Sequence, residues 1–541
     1  MATLKPEDNT TIAASSRDSD VSPISTPPPE KSAGEQPIDL ERLGEQHGYA
    51  LDETVLKHQL GLPPDAVLKK DSTGRVLIPQ PSDSPLDPLN WSVWKKRSIL
   101  VMLAIASFTC DYSAATGASA LLVQAETWHI SPNTVNHATA GNTFMLGVGG
   151  LFVVWLSAYF GRLPVLFYFT VIAAATAIWS AAANSFESYM ASRILNGFFV
   201  VAAAGGGLMW INDVFFFHER PRMINIWSCA IILSPFLGPQ FMAAVIQVAS
   251  WRIGMYLNFG IIMASLLSIL LIGDETFFPR HKRISEIPDI YAKPRWQRLL
   301  GLAQTKTRYT DNTFLRAGTR LGIAATRLPV FLICFFYFLD FGFTVANNTT
   351  IAVIVVPAYT LDYYGLAAIY CSPVLGALLC IPFGHYLFDF IGKLWAKRHN
   401  GVIAPEARLI PIWIVLPLKI AGYNMIGVTV QRHLNLWILI VGWGMHNLST
   451  VLTTSAVAAY LIDCYPEASG ESAAWLNFSR TLAGFILGYV QLNWAHSAGT
   501  EVEYGIQSAI MGGAFLFFVV PLTFFGSRIR KIQGPLKFKT N

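Results

Sequence analysis

The sequence predicts an all-α integral membrane protein with about twelve transmembrane helices in two halves of six. Three observations predict it: the composition, the number and length of the apolar runs, and the distribution of Lys and Arg between those runs. Of the 541 residues, 53% are hydrophobic and only 13% are charged, whereas a soluble domain carries roughly 25% charged residues. A surface that faces lipid removes the need for those charges.

Residues 1–97 form a polar N-terminal region that is rich in Ser, Thr, Pro and Asp. The region contains no apolar segment of the kind found in a signal peptide, and its composition is typical of disorder. We therefore interpret 1–97 as a disordered cytosolic tail with room for a short helix at Leu51–Gly61. The first apolar run that follows it is expected to direct insertion into the membrane.

Twelve apolar runs follow, each close to the roughly 20 residues that a helix needs to cross a bilayer. They lie near 98–122, 139–158, 163–183, 188–211, 223–247, 253–273, 328–356, 362–388, 409–429, 435–461, 472–493 and 505–526. The first six form an N-terminal half at 98–273, and the last six form a C-terminal half at 326–527. Between them, 274–325 is a predicted cytosolic middle loop, and 528–541 is a predicted cytosolic C-terminal tail.

Basic residues concentrate in alternate loops. Eleven of them lie between Arg280 and Arg327, whereas the loops at 123–138, 357–365 and 494–504 contain none. Two arginines on the opposite side are exceptions. Because Lys and Arg favour the cytosolic side of a membrane, both termini and the middle loop are predicted to be cytosolic. The expected location is the plasma membrane.

The sequence predicts no metal, cofactor or nucleic-acid site. None of the six cysteines has CxxC spacing, and all but Cys464 lie well inside apolar runs, where they pack as small residues. Gly205-Gly206-Gly207 lacks the Lys-Ser/Thr pair that follows in a phosphate-binding loop. A pump driven by ATP is therefore disfavoured.

Several short motifs lie at the turns and within the predicted helices. They are Leu156-Ser157-Ala158-Tyr159-Phe160-Gly161-Arg162-Leu163-Pro164-Val165 after the second helix, Arg193-Ile194-Leu195-Asn196-Gly197 in the fourth, and Ser234-Pro235-Phe236-Leu237-Gly238-Pro239 in the fifth. Further segments are Asp87–Trp91, Asp213–Arg220, Asn400–Leu409, and Asp463–Glu471 with Asn477 and Arg480 behind it. Together they resemble the major facilitator superfamily (MFS), and especially its fungal drug:proton antiporter branch, over roughly 87–530.

The resemblance implies an MFS-type twelve-helix fold of two six-helix halves, with helices one, four, seven and ten lining much of a central cavity. It implies gating or loop-ordering roles for Gly161, Arg162, Asp213, Glu219, Arg220, Pro235, Gly238 and Pro239. It also links Arg193 to proton transfer. Ala158 stands where fungal relatives usually carry an acid, and Leu163 stands where they carry a second arginine.

Two acidic residues lie in the middle of predicted helices, where an ionised side chain costs about 2.5 kcal/mol or more. Asp111 is in the first helix and Asp340 is in the seventh, so each half carries an acid in its first helix. Each is expected to bind a proton or a cationic substrate, or else to make a structural hydrogen bond. Asp340, Thr344 and Asn347 fall on one helical face, which should line a cavity or pack on another helix.

Three basic or titratable residues have two interpretations each. Arg193 either takes part in proton coupling or holds the carbonyls of neighbouring helices. Arg480, deeper in the eleventh helix, is either functional or structural. His446, midway along the tenth helix, either titrates near neutral pH or packs as a buried histidine.

We expect a proton-coupled secondary transporter that works by alternating access and exports small organic compounds, such as xenobiotics or fungal metabolites. The expected partners are the bilayer, protons and a small-molecule substrate, and the protein is expected to be monomeric. One alternative is proton-driven uptake of a cationic nutrient such as a polyamine, which two central acids would suit. Another is a transporter-like receptor or scaffold that does not transport.

Overall fold

The computed structural model describes residues 40, 49–50, 52–60, 68–280, 290, 293–306 and 313–534. Three parts of the chain lie outside the described residues: most of 1–48 in the predicted N-terminal tail, parts of the middle loop, and the last seven residues of the predicted C-terminal tail. The described chain is almost entirely helical, as the composition predicts.

Twelve long helices follow one another with short connections. They are α1 (Val93–Trp128), α2 (Pro132–Phe160), α3 (Arg162–Ala182), α4 (Phe186–Val214), α5 (Arg220–Val248), α6 (Trp251–Ile272), α7 (Leu328–Tyr359), α8 (Tyr363–Arg398), α9 (Pro405–Gln431), α10 (Leu436–Cys464), α11 (Ser469–Ala498) and α12 (Thr500–Gln533). All except α11 are long and apolar enough to cross a membrane by themselves. The predicted two-times-six arrangement is confirmed.

Helix α11 crosses the bundle although its sequence is more polar than that of the other helices. Near its start, Glu471 pairs with Arg320, which lies just before α7 (2.6 Å). Immediately after its end, the Thr500 amide donates to the Gln431 side chain at the end of α9 (2.9 Å). Because α7 starts and α9 ends on opposite sides of the bundle, α11 spans its full thickness.

Both ends of the helical chain lie on one side of the bundle, which we call the termini side. Lys95 at the start of α1 pairs with Asp274 just after α6 (2.8 Å). Arg327 at the start of α7 donates to the Gln533 carbonyl at the end of α12 (2.7 Å). Each half therefore brings its first and last helix together in the same way, as expected for an internal repeat.

The two halves meet along two seams, one between α2 and α11 and one between α5 and α8. Glycines allow the helices to approach closely there. A Cβ on Gly150 of α2 would lie 2.6 Å from the Asn477 amide of α11, and one on Gly384 of α8 would lie 2.7 Å from the Asn225 amide oxygen of α5. Both seams are thus shaped by small residues facing polar side chains.

Part of the predicted disordered tail is folded, so that expectation is wrong for 68–92. Val76 and Ile78 are buried against Phe217 of the α4–α5 loop, and the Phe217 amide donates to the Ile78 carbonyl (2.8 Å). A short strand, Tyr49–Ala50, pairs with Val402–Ile403 of the α8–α9 loop. These apolar side chains stabilise the segment because they are buried on the helical body.

The short helix expected at Leu51–Gly61 is present as Glu53–Leu60. Several long helices begin or end beyond the predicted runs; α1, for example, begins at Val93 rather than 98 because Ser92 caps its polar first turn. The predicted middle loop contains the short helices Arg295–Leu299, Leu302–Lys306 and Phe314–Ala325. These differences arise where polar residues continue a helix into water, which an apolar run does not mark.

Candidate functional site

A narrow cavity of about 40 Å³ lies between the two halves. It is lined by Asp111, Ala114, Ala115, Thr139, Thr143, Ile232, Pro235, Phe236, Phe341, Thr344, Val345, Asn348, Thr349, Arg480 and Thr481. These residues come from α1, α2, α5, α7 and α11. Helices one and seven contribute to this lining as expected, whereas none of these lining residues comes from helices four and ten, and α2, α5 and α11 supply the others.

Asp111 and Arg480 are the charged pair among the lining residues of this cavity. The Arg480 Nη1 atom donates to the Asp111 carboxylate at 2.8 Å, and the pair joins α1 of one half to α11 of the other. Arg480 also donates through Nε to the Asn477 side chain (3.0 Å) and lies over the Phe341 ring, 4.9 Å from its centroid. The sequence identified both residues separately and did not pair them.

Arg193 secures the backbone of α1 just beyond Asp111. Helix α1 is interrupted after Ala115, and the last carbonyls of a helical segment have no partner within it. The Arg193 guanidinium donates to two of them, Ser113 (2.7 Å) and Ala114 (2.8 Å). Of the two interpretations of Arg193, the structure therefore shows the contact to neighbouring carbonyls.

The Gly-Pro motif of α5 packs against the same break in α1. A Cβ on Gly238 would lie only 2.8 Å from the Tyr112 carbonyl, so glycine permits the contact. The Pro239 carbonyl accepts from Ser119 (2.9 Å). Pro235 lines the cavity, and its carbonyl accepts from Asn348 of α7 (2.8 Å). The motif thus connects the break in α1 with both halves.

Asp340 has a different environment from Asp111. Its carboxylate accepts from the Lys419 ammonium of α9 at 2.5 Å, and both side chains are at most 1% exposed. The pair lies within the C-terminal half, and neither residue lines the central cavity. Sequence reasoning missed Lys419, although a lysine in the middle of an apolar run is itself a signal.

Asn347 and His446 lie near this pair and are fully buried. The Tyr504 hydroxyl of α12 donates to the Asn347 side-chain oxygen at 2.5 Å. The His446 ring packs against Tyr423, with 4.5 Å between the ring centroids, and neither of its nitrogens has a hydrogen-bond partner among the described residues. The expected polar face of α7 thus packs on other helices, and of its members only Thr344 reaches the cavity.

The loop motif between α2 and α3 forms an ion-pair cluster on the termini side. Gly161 turns the chain with φ +95°, a conformation that favours glycine. Arg162 pairs with Asp213 at the end of α4. The backbone amides of Arg162 and Leu163 donate to the Glu275 carboxylate, which thereby caps α3 (3.1 and 3.2 Å).

The C-terminal half repeats this cluster. Arg408, in the first turn of α9, pairs with Asp463 at the end of α10 (2.7 Å), just as Arg162 pairs with Asp213. In the N-terminal half, Arg220 is buried and donates to the Phe215 carbonyl (3.1 Å), while Glu219 lies at the N-cap of α5.

Other contacts join the halves on the termini side. Arg222 of α5 forms a two-pronged ion pair with Asp389 of α8, with 3.0 Å between Arg222 Nε and Asp389 Oδ1. The Asn212 side chain at the end of α4 donates to the Pro466 carbonyl after α10 (3.2 Å). These contacts hold the halves together on this side.

Comparison with known proteins identifies the family. A family model described as Major Facilitator Superfamily matches residues 101–488. The chain belongs to the major facilitator superfamily. Its MFS fold is also similar to that of the proton:xylose symporter XylE of E. coli bound to 6-bromo-6-deoxy-D-glucose, with a TM-score of 0.58, 14% identity, and coverage of 82% of this chain and all of that one.

Curated MFS relatives include two proteins of Saccharomyces cerevisiae. Protein HOL1 is 24% identical over 551 aligned residues, which cover 86% of this chain and 92% of HOL1. A protein named "Probable drug/proton antiporter YHK8" is 24% identical over 419 residues, covering 75% of this chain and 79% of the relative. The chain is therefore a multi-pass membrane protein of a family that handles small molecules.

Proposed function

We propose that this MFS protein is a proton-coupled secondary transporter that exports small organic compounds by alternating access. The observation that carries the proposal is the Asp111–Arg480 pair, which joins the two halves inside the cavity. The similarity to the relative named "Probable drug/proton antiporter YHK8" supports both the coupling and the direction. We further propose that the protein is monomeric and lies in the plasma membrane with both termini in the cytosol.

Proton binding at Asp111 provides the coupling step. While Asp111 is ionised, it holds α11 to α1 through Arg480. A proton on the carboxylate removes the negative charge and leaves Arg480 without its ionic partner, and breaking a buried ion pair is costly. The arrangement of the halves that depends on this contact then becomes less populated. Protonation and movement of the halves are thereby linked.

The cavity suits a small organic compound with both apolar and hydroxyl-binding parts. Phe236 and Phe341 provide aromatic faces, and Thr139, Thr143 and Thr349 provide hydroxyl groups. Such a mixture favours amphiphilic molecules over simple sugars or ions.

The two alternatives are less well supported by this geometry. Uptake of a cationic nutrient was suggested by two central acids, but Arg480 and Lys419 already neutralise them. A receptor or scaffold has no need of an ion pair between the halves inside a cavity. The first alternative would be favoured if polyamines moved with protons.

The test is transport by the purified protein in liposomes under an imposed pH gradient, with a panel of drugs, fungal metabolites and polyamines. We expect at least one organic compound to move in the direction opposite to the proton flux. Asp111→Asn should lower this flux roughly 5–150-fold, which corresponds to a coupling of about 1–3 kcal/mol. Absence of flux for the whole panel would favour the receptor, and unchanged coupling in Asp111→Asn would refute the assignment of the coupling site.

A further inference from the structure

Polar side chains from five helices are buried together inside the C-terminal half, away from the cavity. We call them the C-half polar core, and each is at most 2% exposed. The core consists of Asp340 and Asn347 of α7, Lys419 of α9, His446 of α10, Gln491 of α11, and Glu503, Tyr504 and Gln507 of α12. None of these residues lines the central cavity described above.

Glu503 is the residue of this core whose charge is not balanced. One carboxyl oxygen accepts from the Gln507 amide (3.1 Å), and the other has no hydrogen-bond partner among the described residues. No ion pair links Glu503 to any described cation. Glu501, two residues earlier on the same helix, instead pairs with Arg432 at 2.6 Å and is partly exposed. The two glutamates therefore differ in burial and in pairing.

An isolated carboxylate at such a site is unfavourable. Burying a charge without a partner costs several kcal/mol even after relaxation of the protein, and such a group takes up a proton instead. Glu503 lies in the first turn of α12, close to the side opposite the termini. The side opposite the termini is therefore the nearer source of water for its carboxyl group.

The groups around Glu503 form a polar path towards the Asp340–Lys419 pair. Gln507 contacts Gln491 of α11 (3.3 Å), and Tyr504 contacts Asn347, which is two turns from Asp340 on α7. One oxygen of Asp340, the Asn347 amide nitrogen and both His446 nitrogens have no partner among the described residues. These atoms are the hydrogen-bonding positions that water entering the core would occupy.

We propose that Glu503 is a second proton-binding site, loaded from the side opposite the termini and separate from the substrate cavity. The carboxylate takes up one proton and forms one O–H bond, and it releases that proton when the site is hydrated. Its hydrogen-bond partner is Gln507 on its own helix, which contacts Gln491 of α11, and the adjacent Tyr504 contacts Asn347 of α7, with Tyr423, His446 and the Asp340–Lys419 pair beyond them. The nearby Arg432–Glu501 pair is exposed and mutually neutralised.

The inference rests on the proposed proton coupling, but its test requires no substrate. Infrared difference spectra of the full-length protein in lipid are recorded between about pH 5 and about pH 9, the range into which burial moves a glutamate, in water and in deuterium oxide. The probe is the C=O stretching band of a protonated carboxyl group. Glu503→Gln preserves shape and hydrogen bonding, and Glu501→Gln is the matched control on the same helix.

We expect wild type and Glu501→Gln to show a protonated-carboxyl component that disappears as the pH rises, and we expect this component, though not that of Asp111, to be missing from Glu503→Gln. If Glu503→Gln does not fold, Glu503→Asp should shift the midpoint of the band and Glu501→Asp should not. The proposal is overturned if Glu503→Gln retains the full band, or if the band does not respond to pH. Asp111→Asn should leave this band unchanged, so a failure of coupling at Asp111 is distinguishable from a failure here.

Discussion

Asp111 and Asp340 occupy matching places in the two halves, yet their surroundings differ in kind. Asp111 pairs with an arginine from the opposite half and faces the cavity, whereas Asp340 pairs with a lysine of its own half and is sealed inside it. Movement of the halves must change the first contact and can leave the second intact. An internal repeat thus supplies two acids, and the partner decides which of them can sense alternating access.

The comparison predicts that, of the substitutions considered, Asp340→Asn lowers the free energy of unfolding most. Asp340→Asn leaves the Lys419 ammonium buried without an anion, which should cost about 3–5 kcal/mol of the free energy of unfolding. Asp111→Asn should cost less, because Arg480 keeps its contacts with Asn477 and Phe341 beside the cavity. Unfolding midpoints in detergent measure the difference.

The control for this prediction removes both charges. Asp340→Leu combined with Lys419→Met should recover most of the lost stability, since a well-packed apolar pair can replace a buried ion pair. Equal stability of Asp340→Asn and Asp111→Asn would contradict the claim that the two acids have different surroundings.

An intermediate effect is expected at Arg193, which fixes α1 beside Asp111 and has no role at Asp340. Arg193→Met removes two hydrogen bonds to carbonyls but also a buried positive charge whose desolvation opposes folding, so the net loss should be about 1–3 kcal/mol. Arg193→Lys should recover only part, because its compact ammonium cannot match the two-pronged guanidinium. Proton-driven flux should fall further in Arg193→Met than in Arg193→Lys. A fully active Arg193→Met would contradict a positioning role.

The smallest effect is expected at the Arg222–Asp389 contact on the termini side. Both side chains are partly exposed, so the pair should contribute at most about 1 kcal/mol. A double-mutant cycle of Arg222→Ala and Asp389→Ala, read as unfolding midpoints, measures this coupling. A coupling free energy as large as that of the Asp340–Lys419 pair would mean that the surface pair stabilises the protein as much as the buried pair does.

The sequence allowed much of this architecture to be predicted, because apolar runs and loop charges follow directly from the bilayer. Asp111, Asp340 and Arg480 were detectable because charges within apolar runs are rare. The Asp111–Arg480 pairing was not, since it joins residues 369 positions apart and nothing local marks the partner.

Lys419 and Glu503 were not identified from the sequence, for different reasons. Lys419 carried the same signal as Asp340 but lies in the ninth run, where no motif drew attention to it. Glu503 was assigned to a loop, because the first turn of α12 is too polar to belong to the apolar run. Its burial depends on side chains from α11 and α12 that only the fold brings together.

The central claim is that protonation of Asp111 releases the two halves from each other, and distances between the halves test it most directly. Spin labels at Arg97→Cys and Lys397→Cys, two exposed positions on the termini side of opposite halves, report this distance by double electron–electron resonance once the exposed Cys371 is replaced by Ser. We predict that Asp111→Asn and acidic pH change the distance distribution in the same direction, while Asp340→Asn leaves it as in wild type. An unchanged distribution in Asp111→Asn, or an equal change in Asp340→Asn, would contradict the claim.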